Sequence, residues 1–168
     1  MAPWAMPDCA SAPAGYPTRM AQYVVRIRTP LSPGVAFAFM ADLTNFERWD
    51  PGVVRSEQVA GVRPGPDAQY DVTVKGMRKP LRYVTNEYEP TTRVVVQARS
   101  RLLTSLDAIT VEPDGDGAVV TYDARLTLNG PLGIADGIVA GPFGRVAERA
   151  ATGLVQALSG TRLENVAA

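Results

Sequence analysis

A strand-like alternation of apolar and polar residues begins at position 22. Over 22–28, Tyr23, Val25 and Ile27 fall on one side and Val24, Arg26 and Arg28 on the other, the period of two that marks a half-buried strand. Thr29-Pro30-Leu31-Ser32-Pro33 ends it, with Ser32 as a candidate N-cap and Pro33 at the first helical position. Val35, Phe39 and Leu43 then lie four apart, as do Ala36 and Met40, which predicts an apolar helix face. Residues 43–49 make a second short helix, stopped by Pro51.

Extended segments follow at 53–60, 68–75, 81–89, 93–99, 102–112 and 118–128. Their connections are short and rich in Gly, Pro, Asp and Thr, so consecutive strands are expected as antiparallel neighbours. In the last of them Val120, Tyr122, Ala124, Leu126 and Leu128 oppose Thr121, Asp123, Arg125 and Thr127, one face for a core and one for water. A helical stretch over 131–159 closes the chain. Gly141-Pro142 should break it into pieces near 132–140 and 142–158, because proline lacks an N–H and clashes with the preceding turn. The second piece spans about 25 Å. Its apolar stripe is Phe143, Val146, Ala147, Ala150, Leu154 and Leu158.

One sheet and one long helix can bury their apolar faces only against each other. The expected fold is α+β: a curved antiparallel sheet of about seven strands wrapped around the C-terminal helix, with two short helices after the first strand. A curved sheet need not fill the space beneath it, so the layout predicts a ligand container. Residues 21–160 would form that domain. Residues 1–20, with four prolines and no periodicity, are expected as a disordered tail, and 161–168 as a C-terminal tail. Met20, just before the first strand, is a candidate start.

Composition narrows the chemistry. The 168 residues carry 17 basic and 17 acidic side chains, so no electrostatic footprint for nucleic acid or an anionic membrane is present. Only Lys75 and Lys79 are lysines, which with abundant Ala, Gly and Pro suggests GC-rich bacterial coding. Histidine is absent, removing His-based acid–base catalysis, Ser–His–Asp triads and His metal sites. Cys9 is the one cysteine, so no intrachain disulfide or thiolate metal cluster can form. No metal or cofactor is expected. No apolar run approaches a membrane span, and the N-terminus does not read as a signal peptide, making a cytoplasmic monomer or homodimer the expectation.

Several segments resemble the START and polyketide cyclase/dehydrase (SRPBCC) superfamily, the helix-grip proteins that include the major birch-pollen allergen. They are Ser32-Pro33-Gly34-Val35-Ala36-Phe37-Ala38-Phe39 and Asn45-Phe46-Glu47-Arg48-Trp49-Asp50-Pro51, the latter with the Trp-Asp-Pro signature. Further matches are Asp107-Ala108-Ile109-Thr110-Val111-Glu112-Pro113, running into Gly117-Ala118-Val119-Val120-Thr121-Tyr122, and Leu128-Asn129-Gly130-Pro131-Leu132. The resemblance covers about 21–160. It implies the helix-grip fold and a spread of roles: lipid and sterol carriers, polyketide cyclases, hormone receptors. The superfamily has no universal catalytic motif, so no catalytic residue carries over.

Candidate site residues come from parity. Trp49 either gates the cavity or packs the short helices onto the sheet, and both roles are compatible. Phe39 and Phe143 are apolar candidates from the two helical faces. Tyr70 and Tyr122 share phase with apolar neighbours and are the better inward tyrosines, each offering a wall and a donor. Tyr83 and Tyr88 have opposite parity, so without a bulge only one faces inward. Asp107 shares parity with Leu103, Ile109 and Val111. Either it points inward, where burial raises its pKa and fits it for acid or base work, or the strand shifts phase near Ser105 and exposes it. Arg99 shares parity with Val95 and Gln97; it either polarises a carbonyl or sits on the solvated face. Asp114-Gly115-Asp116-Gly117 faintly resembles a calcium loop, but the position for the required glutamate holds Arg125, so it reads as a hairpin turn.

Three roles compete. The first is binding or transport of a hydrophobic small molecule such as a lipid, an isoprenoid or a polyketide-like aromatic. The second is a polyketide cyclase or dehydratase that folds a flexible chain into a reactive pose, with Tyr70 or Arg99 polarising a carbonyl and Asp107 moving the proton. The third is a protein-interaction module without a ligand, recognisable by a large exposed apolar patch.

Overall fold

The computed structural model describes residues 20–129 and 140–164. The chain runs β1 (Met20–Thr29), α1 (Pro33–Ala41), a 3₁₀ turn (Leu43–Asn45), α2 (Phe46–Trp49), β2 (Val53–Ala60), β3 (Gln69–Val74), β4 (Leu81–Glu89), β5 (Arg93–Arg99), β6 (Leu103–Asp114), β7 (Gly117–Leu128), α3 (Ala140–Ala157) and β8 (Thr161–Leu163). The strands form one antiparallel sheet in the order β2-β3-β4-β5-β6-β7-β1-β8. Consecutive hairpins account for β2 through β7. β1 then pairs with β7 along its whole length, from Met20 opposite Thr127 to Thr29 opposite Ala118.

The sheet has eight strands, one more than the sequence pattern predicts. The addition is β8, which pairs Arg26–Arg28 of β1 with 161–163, where a tail is expected. Three residues are too few for alternation to register.

α1 begins as expected, with Ser32 in extended conformation at the N-cap and Pro33 in the first turn, although the Ser32 side chain makes no capping bond. The face it buries keeps Ala36 and Met40 of the expected one, with Leu43 beyond it, but turns Val35 out. Ala36, Phe37, Met40 and Ala41 are buried, and Val35 is exposed. Asp42, between α1 and the 3₁₀ turn, accepts from the Thr44 backbone N–H at 3.1 Å and its hydroxyl at 2.7 Å, and pairs with Arg63 at 2.8 Å.

Gly141 and Pro142, where a break is expected, lie within α3, which runs on from Ala140 to Ala157. The expected helical piece over 132–139 lies outside the described residues. Ala147, Ala150, Ala151, Leu154 and Leu158 are buried against the sheet and α2. Gly153 has a structural reason: a Cβ there would stand 1.9 Å from the Trp49 carbonyl oxygen, so only glycine lets α2 and α3 touch backbone to backbone. At the C-terminal end of α3 the buried Thr29 hydroxyl donates to the Leu158 carbonyl at 2.6 Å, satisfying one of the orphan acceptors of a helix end. No helix among the described residues is long and apolar enough to cross a membrane.

Candidate functional site

The inner face of the sheet and α3 do not meet everywhere. Between them lies a cavity of about 220 Å³. Its apolar wall includes Val72, Val74, Leu81, Leu103 and Leu126 from the strands and Phe143 from α3. Its polar side chains come from four elements: Asp50 after α2, Tyr83 on β4, Ser105 and Asp107 on β6, and Tyr122 and Arg125 on β7.

Strand register assembles this polar group. Asp107 stands opposite Ala124, and Tyr122 stands opposite Ile109, so Tyr122 is the diagonal neighbour of Asp107 on the inner face. Its hydroxyl donates to Asp107 Oδ1 at 3.1 Å. On the other side Tyr83 opposes Ala98, which opposes Ser105. The small Ala98 lets the Tyr83 ring reach over β5 toward β6. Trp49 stands behind this group, edge-on to Tyr122 at 5.4 Å and to Phe46 at 4.9 Å.

Asp107 is 3 % exposed. Burial pushes its carboxyl up to about 7; hydrogen bonds from Tyr122 and Tyr83 oppose that, and the charges of Asp50 and Asp123 add to it. Burial and the Asp107 charge hold both tyrosines well above 10.0. Burial also raises Asp50, countered by the Gly52 N–H, which donates to Oδ1 at 2.7 Å, and by the Lys75 charge.

Of the residues singled out from sequence, Asp107, Tyr83, Tyr122 and Phe143 meet at the cavity. Asp107 keeps the parity of Leu103, with no phase shift at Ser105. Others lie elsewhere. Arg99 is on the outer face and exposed, because β6 pairs with it at Thr104, an outer-face position. Tyr70 opposes Tyr83 and is fully buried, yet it does not line the cavity. Burial, then the charge of Asp42, pushes it up to about 12, and its hydroxyl has no hydrogen-bond partner among the described residues. Phe39 lies under the Arg48 guanidinium at 5.1 Å and takes no part in the cavity wall. Trp49 supports the wall from behind without lining it.

A bulge resolves the parity of the remaining tyrosines. β4 and β5 shift register between Thr85 and Glu87, so Tyr83 and Tyr88 both face inward. Tyr88 packs edge-on against Phe37 at 5.5 Å. Sequence reasoning missed Asp50 and Ser105 as site residues. Ser105 carried a usable signal in its parity with Asp107, and Asp50 in its place within Trp-Asp-Pro.

A sheet gripping a C-terminal helix over an apolar cavity is the START-like architecture. The chain belongs to the polyketide cyclase / dehydrase and lipid transport family, whose model matches residues 20–166. Solved structures share the fold. A START superfamily protein from Mycobacterium smegmatis is 16 % identical with a TM-score of 0.62, covering 83 % of this chain and 97 % of that one. A hypothetical protein from Helicobacter pylori is 12 % identical with a TM-score of 0.64, covering 92 % and 99 %. Ara h 8.0201 is 14 % identical with a TM-score of 0.57, covering 84 % and 99 %. At these identities the likeness is one of fold alone. No curated protein matches the chain by sequence. At the family level the matched description concerns the handling of hydrophobic molecules.

Proposed function

We propose that the protein binds a small, mainly hydrophobic molecule in the cavity between the sheet and α3. The observation that carries this reading is an apolar wall surrounding one convergent polar group, the usual make-up of a ligand site. At about 220 Å³ the cavity is smaller than the roughly 300–1,000 Å³ of drug-sized sites and larger than the roughly 150 Å³ that holds benzene. Its volume suits one or two rings or a short chain, such as a small isoprenoid or an aromatic polyketide fragment. Native mass spectrometry with extraction of any co-purifying compound tests this. Ala150→Leu supplies the control, because Ala150 lines the cavity and a larger side chain there fills it. A bound small molecule in the parent and none in the variant supports the reading. Equal occupancy of both places the ligand elsewhere.

The buried Asp107 beside two tyrosines favours a second reading, a cyclase or dehydratase acting on a bound keto substrate. A carboxyl held at about 7 gives and takes a proton near neutrality, and Tyr83 and Tyr122 stand beside it in the cavity wall. In this reading Asp107 is the acid–base, with no part for Arg99. Folded Asp107→Asn that turned over a poly-keto substrate at the parent rate would end it.

A further inference from the structure

The polar atoms of the cavity are unbalanced in sign. Two carboxylates, Asp50 and Asp107, line it. The hydroxyl donor best placed beside them, on Tyr122, is already given to Asp107. Tyr122 therefore offers no free donor to a ligand. Tyr83 lines the same wall and lowers the Asp107 pKa from the other side. A carboxylate has about four acceptor positions, so Asp107 keeps unfilled ones.

Among the described residues, the cavity wall holds no cation free of a partner. The one basic residue of the wall, Arg125, has its guanidinium on Asp123 of the same strand, at 2.6 Å and 3.1 Å. Lys75 acts on Asp50 and does not line the cavity. The stretch 130–139, between β7 and α3, contains no basic residue. Burial raises Asp107, as expected for a carboxyl lacking a counter-charge.

We propose that the cavity selects a ligand with a protonated amine head on a short apolar body, the amine meeting Asp107, and that it rejects carboxylate lipids. This rests on the reading of the cavity as a ligand container. An ammonium supplies the donors and the positive charge that the site lacks. A carboxylate would add a third negative group to a space that already holds two, with no cation to pair it. A neutral alcohol can donate one bond but brings no charge, so it falls between.

Isothermal titration of the full-length protein at pH 8 with n-octylamine, 1-octanol and octanoate tests this, since the three share a body and differ in the head. Octylamine is expected to bind at least tenfold tighter than octanol, with octanoate weakest. In Asp107→Asn the amine should lose that advantage while octanol binding persists. Ala150→Leu should weaken all three, showing that the signal comes from the cavity. If octanol binds and octylamine gains nothing over it, or octanoate binds as tightly as the amine, the head-group inference is wrong and the container stands. If none of the three binds, the container reading fails and takes the inference with it. The parent series decides the matter even if Asp107→Asn does not fold.

Discussion

The Tyr122 hydroxyl and the Asp107 carboxylate, on neighbouring strands and diagonal in register, form a hydrogen bond of 3.1 Å inside the protein. Strand pairing holds both backbones, so the bond is set by the sheet. It is the internal polar contact on which the cavity chemistry turns.

Its first consequence is a pH dependence of stability. Burial holds Asp107 at about 7 in the folded state, while an unfolded aspartate titrates near pH 4. The folded protein therefore binds this proton more tightly. The contribution is fully favourable below about pH 4, declines as pH rises to about 7, and then levels off, a span of at most about 4 kcal/mol. The charged neighbours in this balance are Asp50 and Asp123, with Tyr83 and Tyr122 neutral throughout. Denaturant unfolding of Asp107→Asn should show its stability rising relative to the parent between pH 5 and 8. A constant difference over that range would mean that the carboxyl titrates normally.

Removing the donor should move the same group further. Tyr122→Phe deletes the largest of the influences that lower the Asp107 pKa. Carbon-detected NMR of the Asp107 carboxyl should place its midpoint above that of the parent, with a stability loss of about 1–3 kcal/mol at pH 8. A midpoint unchanged or lower contradicts the bond.

The contact of α2 with α3 has no room for a methyl group. Gly153→Ala must push the helices apart, since its Cβ would fall 1.9 Å from Trp49 O. A destabilisation of about 3 kcal/mol is expected, a melting temperature roughly 6–12 °C lower. Gly144→Ala in the same helix meets nothing within 4 Å and should be neutral or slightly stabilising.

Thr29→Val keeps the shape of a side chain 2 % exposed and removes its hydroxyl. That strands the Leu158 carbonyl and the Leu31 N–H, which the hydroxyl accepts at 3.1 Å. The expected cost is about 1–3 kcal/mol, with faster amide exchange at 158–160 as the local marker. Faster exchange at the N-terminal end of α3 instead would assign the loss to another cause.

Arg99→Ala is expected to change neither stability beyond about 0.5 kcal/mol nor binding of any cavity ligand, because the side chain is exposed on the outer face. Measurable loss of binding would put arginine back into the site.

Strand positions were legible because alternation on a half-buried sheet is a strong signal. Val120, Tyr122 and Ala124 face inward as their parity requires. The buried side of α1 was legible only in part: Ala36 and Met40 are buried as their spacing requires, but Val35, Phe37 and Phe39 are all apolar, so spacing alone does not choose among them. The inward turn of both Tyr83 and Tyr88 depends on a bulge at Asn86, and a single inserted residue leaves no composition mark. Parity identified which tyrosines point inward but not where along the sheet they sit. That is why Tyr70, inward and opposite Tyr83, nevertheless falls outside the cavity lining.

The place of β1 has a consequence for how the chain is made. It precedes every other strand of this sheet in the chain, yet its partners in β7 lie 89 to 107 residues later, and those in β8 later still. Until those segments leave the ribosome, β1 has both edges open and its inner residues Val25 and Ile27 uncovered. Such long-range pairing slows folding. The hairpins β2 to β7 can form in order of synthesis, but the sheet cannot be completed around β1 until β7 and β8 arrive. Completion of the sheet is therefore bound to the arrival of β8, and a chain cut short before it leaves β1 with an exposed edge.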